Sequence, residues 1–350
     1  MNVMMRELKL FKRTGAWMMF ILTPLIIVLC ISIALSGSVH HVPIGVASNN
    51  QQTSTDLVNV LNKDNGKISA KVVSVNNINQ SFVSSNLESV ILVKINSTGY
   101  PSATIFVDAT VQSIKEQMKS YLTVLIYNYY NYEKVPITVV EEYSGYSLTD
   151  YYTASILVIA ALMGGLFMAS DSILRERETK TIESVIVTGF NTVRFTSEKI
   201  ISFTLLQVIG SGLLYTLLVV LGLPVGNVEQ LITIFLALIL MQFIFVSIGF
   251  IMSSFVPNTE VAGALGGTVM FPLMFISGAF FSIYSMSPII IPLAQINPVT
   301  LGQELFTTLI LKGGNIADVS HYLYLLASFA IVTFIIANIL IYRVTNSIKA

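Results

Sequence analysis

Leu231-Ile-Thr-Ile-Phe-Leu-Ala-Leu-Ile-Leu-Met-Gln-Phe-Ile-Phe-Val-Ser-Ile-Gly-Phe-Ile-Met-Ser-Ser-Phe-Val256 runs for 26 residues without an Asp, Glu, Lys or Arg. A hydrocarbon core about 30 Å thick takes roughly 20 apolar residues in a helix, and a helix satisfies its own backbone polar groups there. The stretch therefore predicts a membrane-spanning helix. Five more stretches of similar length and purity stand at 16–35, 151–170, 200–223, 261–284 and 322–341. The expected fold is an all-α transmembrane bundle of six helices with one inserted polar domain.

Composition agrees. Of 350 residues 54% are hydrophobic and only 11% charged, against about a quarter charged in soluble domains. The 19 basic and 19 acidic residues cancel, and no clustered basic face is present to hold a nucleic acid. The one cysteine, Cys30, lies inside the first apolar stretch, which excludes a disulfide framework and a thiolate metal site. His40 and His41 lack neighbouring Cys or carboxylate ligands, so no metal centre is expected. The first stretch exceeds the roughly 7–15 residues of a signal h-region and is read as a span.

Basic residues near span ends stay on the cytoplasmic side. They gather before the first span (Arg6, Lys9, Lys12, Arg13), in 171–199 (Arg175, Arg177, Lys180, Arg194, Lys199) and in the tail (Arg343, Lys349). By contrast 222–230 has none and 285–321 only Lys312. Both termini are accordingly expected in the cytoplasm of a multi-pass cell-membrane protein, with residues 36–150 outside.

Within 36–150, Asn, Ser, Thr, Lys and Glu replace the apolar runs from residue 42 onward. β-rich runs at 42–46, 68–75, 89–95, 104–107 and 136–141 alternate with helical pieces at 55–62, 78–85 and 111–130, which predicts an extracytoplasmic α/β domain. Its carboxylates, Glu88 and Asp108 among them, are scattered and read as surface charge. Tyrosines from Tyr127 to Tyr152 crowd the approach to the second span, as in an aromatic belt.

The spans carry no ionisable residue at mid-depth, which weighs against ion-coupled transport. Gln207, Gln242 and Asn338 read as hydrogen-bonding links between helices. There is no phosphate loop and no hydrolase motif, so no catalytic residue is assigned, and the energy for any transport must come from a partner. In the fifth stretch Gly263 and Gly267 form a small-xxx-small pair and Pro272 interrupts the backbone. This pattern suits either a subunit or pore contact or packing within the chain.

The loop 171–199 opens on Asp171-Ser-Ile-Leu-Arg-Glu-Arg-Glu-Thr-Lys-Thr-Ile-Glu183. Glu176 and Lys180 stand at i,i+4, and Arg175 and Glu178 at i,i+3, so the second span is expected to continue as a helix. Gly189 breaks it, and Asn191 or Thr192 caps the next helix. Arg175-Glu-Arg-Glu-Thr-Lys-Thr-Ile-Glu183, Val185-Ile-Val-Thr-Gly189 and Ser197-Glu-Lys199 together resemble the coupling loop of ATP-binding cassette (ABC) type-2 exporter permeases. The order of elements over the whole chain resembles that family too. A basic elbow helix at 1–15 precedes the first span, and an outer re-entrant segment at 285–320 carries Asn297-Pro-Val-Thr300. The 36–150 domain resembles the subgroup with a large extracytoplasmic insertion. The family usually has glycine where Lys180 stands, and often proline where Gly189 stands.

The resemblance implies a permease subunit that moves an apolar or amphipathic substrate outward, as a homodimer or beside a related permease, in a lipid bilayer. It implies a separate cytoplasmic ABC ATPase that binds ATP and Mg, with no cofactor on this chain. Arg175, Glu176, Arg177, Glu178, Thr181, Glu183, Gly189 and Lys199 would couple to that ATPase. Gly263, Gly267 and Pro272 would serve dimer or pore packing, and Asn297 and Pro298 an outer gate. The rival reading is a membrane-anchored receptor or cell-envelope scaffold acting through its outer domain.

Overall fold

A computed structural model describes residues 42–63, 68–75, 78–84, 87–95, 101–108, 112–130, 136–142, 148–180, 191–280, 283, 286–287 and 289–349. The expected elbow at 1–15 and first span at 16–35 lie outside these residues, as do Thr181, Glu183 and Gly189.

The polar domain is a five-stranded sheet in the order β2-β1-β3-β4-β5. Its strands are β1 (Val42–Ser48), β2 (Ile68–Val72), β3 (Ser89–Ile95), β4 (Pro101–Asp108) and β5 (Ile137–Glu142). Interior strand β1 pairs parallel with both β2 and β3, whereas β4 is antiparallel to β3 and parallel to β5. Unbroken apolar runs make β1 and β3 buried on both faces. Helices α1 (Gln51–Asn62), α2 (Ile78–Ser84) and α3 (Gln112–Tyr130) complete the domain. Asn50 caps α1 by accepting from the Gln52 amide. Asn62 brackets the backbone of Ala70 with two hydrogen bonds of 3.1 and 2.7 Å, which fixes edge strand β2. On α3, Met118, Leu122 and Ile126 recur every fourth residue and are fully buried. They share one core with Ile283, Met286 and Ala294 from beyond residue 280, so the domain sits directly on the helical part.

That part begins with α4 (Leu148–Met163), passes through a π-helical turn, Gly164–Met168, and continues as α5 (Ala169–Glu178). After it come α6 (Thr192–Val220), α7 (Val228–Ser253), α8 (Thr259–Phe275), α9 (Ile291–Gln295), α10 (Pro298–Phe306), a second π-helical turn, Thr307–Leu311, and α11 (Ile316–Lys349). Among the described residues four helices are long and apolar enough to cross a membrane: Ala154–Glu178, Thr192–Val220, Val228–Ser253 and Ile316–Thr345.

The fifth expected span is shorter than the sequence implies. With its 17 residues α8 stops at Phe275, three residues past Pro272, and Gly278 turns the chain at φ +85°. The last helix starts earlier than residue 322, because Asp318 accepts from the Asn315 amide and fixes the start of α11. At this end α7 and α11 are also joined directly, since Glu229 accepts from the Ile316 amide and Gln230 donates to the Gly314 carbonyl.

The centre of the bundle is α7, with Ala237, Leu238, Met241, Ile244 and Phe245 all buried. The periphery is α6, whose Leu205, Ile209, Leu213 and Leu217 form an exposed stripe suited to lipid. A crossing at backbone contact lies where α7 meets the π turn. A Cβ on Gly165 would stand 2.6 Å from Phe245 Cβ, and one on Gly249 would stand 2.7 Å from the Leu166 carbonyl oxygen. Gly263 instead has no described heavy atom within 4 Å of where its Cβ would lie, and Gly267 has only its own helix's Phe271, at 3.9 Å. Among the described residues neither glycine meets another helix where its Cβ would lie. The links expected between helices are present: Gln207 donates to the Gly164 carbonyl, Gln242 donates to Ser211, and Asn338 accepts from Ser197.

Gly249→Leu should lower the thermal midpoint of the detergent-purified protein, since overpacking a tight contact costs about 1–3 kcal/mol, while Gly263→Leu should leave it near wild type. Melting curves followed by size-exclusion fluorescence check this, and equal effects would refute the packing assignment.

Candidate functional site

Successive residues on a helix are turned by about 100°, so four adjacent charges cannot share a face. At the end of α5 each charge meets a different element. Arg175 turns back one turn to Asp171, Nε to Oδ2 at 2.5 Å. Glu176 faces α6 and pairs with Lys199, whose ammonium also donates to Ser172 Oγ at 3.1 Å and lies 5.3 Å from the centre of the Phe195 ring. Arg177 Nη1 donates to the carbonyls of Ser253 at 2.8 Å and Val256 at 3.4 Å, at the C-terminal end of α7. Glu178 Oε1 accepts from the Thr259 amide at 2.9 Å and from Thr259 Oγ1 at 3.3 Å, at the start of α8.

Each contact has the polarity that a helix end demands. A cation sits on the unsatisfied carbonyls closing α7, and an anion on the unsatisfied amides opening α8. Together they form a charged collar that ties α5 to α6, α7 and α8 at the end of the bundle away from the sheet. The helix stops where Lys180 adopts φ +58°, a left-handed conformation that favours glycine. The glycine of the resembled family therefore has a backbone reason at this position. Asn191 begins α6 as expected, accepting from the amides of Val193 and Arg194.

The local pairs read from spacing are corrected. Glu176 pairs across to Lys199 rather than along the helix to Lys180, which has already left it, and Arg175 pairs with Asp171 rather than Glu178. Spacing along one helix cannot show a partner on another. A cleft of about 310 Å³ opens beside the collar, lined by Phe167, Ser170, Asp171, Arg175, Thr259 and Gly263 among others.

At the sheet end Asn297 is 4% exposed and joins two helices. Its side chain accepts from the Val299 amide to cap α10, with Pro298 at the first helical position, and donates to the Leu273 carbonyl at the end of α8 at 2.7 Å. Beside this joint lies a feature that sequence reading placed at the surface. Asp108 and Lys312 form an ion pair of 2.7 Å with side chains 0% and 4% exposed, and Glu88 next to it is 6% exposed. Burial, and then the neighbouring Asp108, push the Glu88 carboxyl up to about 8. Burial alone would lower Lys312, but Asp108 and Glu88 outweigh it and hold the ammonium above its ordinary value. The signal available in sequence was Lys312 itself, the one basic residue in 285–321. Among the described residues no group of three His, Cys, Asp or Glu side chains is placed to hold a metal ion.

Long apolar helices gripped by charge at one end and capped by a docked α/β domain at the other have the architecture of a multi-pass membrane protein. Residues 15–339 match the family described as ABC-2 family transporter protein, and the chain belongs to that family. It is also similar to the capsule polysaccharide export inner-membrane protein CtrC of Neisseria meningitidis serogroup B, with 27% identity over 112 residues. That match covers 31% of this chain and 42% of CtrC, so the chain spans less than half of that relative's length.

Removing one partner of the half-buried Glu176–Lys199 pair should cost more than removing both, because a lone charge is left behind. A double-mutant cycle of Glu176→Gln and Lys199→Met in thermal unfolding should give a coupling of about 1–2 kcal/mol, whereas additive effects would show that the pair contributes nothing.

Proposed function

We propose that this chain is the permease subunit of an ATP-driven exporter that moves an apolar or amphipathic substrate out of the cytoplasm. A separate ABC ATPase supplies hydrolysis, and two permeases, identical or related, enclose the route. Family membership supports the transport class, and the absence of a phosphate loop from the sequence supports a partner ATPase. The excess of Lys and Arg on 171–199 and at both ends of the sequence supports placing the collar in the cytoplasm and residues 42–150 outside. CtrC is named for polysaccharide export, which favours the outward direction and makes a glycan-bearing cargo one candidate.

The observation that carries the mechanism is that Glu176, Arg177 and Glu178 bond to three different helices. A partner pressing on the segment from Thr181 through Glu183 to Gly189 would move Arg175–Lys180, and through it α6, α7 and α8 together. The elbow at 1–15 offers a second docking element. Gly263 and Gly267, which meet no other described helix where a Cβ would lie, are assigned with Pro272 to packing against the second permease. Asn297 and Pro298 are assigned to the outer gate. Alternating access between two packings then follows from a rigid shift of the helices.

Arg177→Met with Glu178→Gln, in proteoliposomes with the ATPase, should leave ATPase association intact and reduce cargo-stimulated hydrolysis by about 5- to 150-fold, the range of a typical inter-site coupling. Transport and hydrolysis unchanged after replacing 175–180 with a neutral helix-forming sequence would overturn the coupling role. Labelling of a cysteine at position 100 only after the membrane is breached would overturn the topology.

A further inference from the structure

Strands β3 and β4 are antiparallel with Ser89 opposite Val107, and one step further the Asp108 amide donates to the Glu88 carbonyl. Directly opposed residues of an antiparallel pair point to the same face, so the two carboxylates emerge side by side. They meet Lys312, which the second π-helical turn delivers with its amide bonded to the Thr307 carbonyl. Half-buried Glu304 of α10 and buried Tyr322 of α11 complete the surroundings of Glu88.

One ammonium therefore stands among three carboxylates, Glu88, Asp108 and Glu304. Lys312 with Asp108 is balanced. A further buried anion is not, and Glu88 Oε2 has no hydrogen-bond partner among the described residues. The neutral acid form is the one this pocket suits. The cluster also lies at a seam between two bodies: Glu88 and Asp108 belong to the sheet, and Lys312, Glu304 and Tyr322 to the helices. The apolar half of the seam is Met118, Leu122 and Ile126 against Ile283, Met286 and Ala294.

We propose that this cluster is a proton-dependent clamp, which keeps the sheet domain docked on the helices while Glu88 carries a proton and loosens when Glu88 ionises. The sign follows from linkage. The docked carboxyl releases its proton near 8 and a hydrated one near 4.5, so between those values the docked state binds more protons. Docking is fully favoured below about 4.5, weakens by up to tenfold per pH unit as the pH rises toward 8, and changes no further above it. The clamp does not rest on the exporter reading. That reading decides only which compartment's pH is sensed.

The test uses the full chain in lipid nanodiscs, with Cys30→Ser and spin labels at Lys71→Cys on edge strand β2 and at exposed Ile289→Cys. Pulsed electron resonance then reads the distance distribution from about pH 5 to 9. The wild-type background should show a separated population that grows with pH and levels off near 8, while Glu88→Gln should stay docked and flat across the range. A pH-independent wild-type distribution would overturn the clamp by itself, whether or not the variant folds. A Glu88→Gln protein that titrates like wild type would overturn it as well.

Discussion

Gly165 and Gly249 bring the π turn of the second span against α7 at backbone contact, and the orientation of the collar depends on that crossing. A π turn holds an extra residue relative to α-helix, which rotates the residues after it by about 100°. Without Gly164–Met168 the charges on α5 would face other elements. With it, Glu176, Arg177 and Glu178 reach α6, α7 and α8 respectively. The turn persists because its loosened carbonyl at Gly164 is taken by Gln207, and because glycines leave no side chain in the way. A local irregularity in hydrogen bonding thus sets the geometry of the whole charged end.

The two polar loci use electrostatics in different regimes. At the collar the charges are partly hydrated and satisfy helix ends, so each contact is modest and replaceable. At the seam the Asp108–Lys312 pair is withdrawn from water. Its attraction is offset by desolvation, and its main effect is to penalise any arrangement in which one partner is left alone. On the proposed coupling role the collar would transmit movement, while the seam restricts the positions that the sheet domain can take.

The sequence showed the apolar helices, the five strands and the α/β alternation because each is a local periodicity. It missed what depends on contacts between elements. Glu176 had a plausible partner four residues on at Lys180, but Lys180 takes a left-handed turn and the true partner lies on α6. Glu88 and Asp108 looked like ordinary surface acids because they are scattered in the sequence; their cation comes from beyond residue 300. The length of α8 was overestimated because apolar composition continues past Phe275, while the chain leaves the helix there and turns at Gly278 with a positive φ. Hydropathy measures the solvent a segment prefers and does not record where its hydrogen bonds stop.

Helix α8 links the two ends. Its first amides are held by Glu178 from the collar and its last carbonyls by Asn297 from the sheet-side joint, so both termini are fastened by side chains of other elements. Seventeen residues extend about 25 Å at 1.5 Å per residue. A helix gripped at both ends transmits an axial or rocking displacement as a rigid rod, since stretching it would break backbone hydrogen bonds one by one. Force applied to the α5 charges would thus arrive at Asn297, and the core that the sheet domain shares with Ile283 and Met286 begins within a few residues of the end of α8. A short helix capped from outside is better suited to this than a long one ending in solvent, because its end contacts cannot fray independently of the elements that hold them.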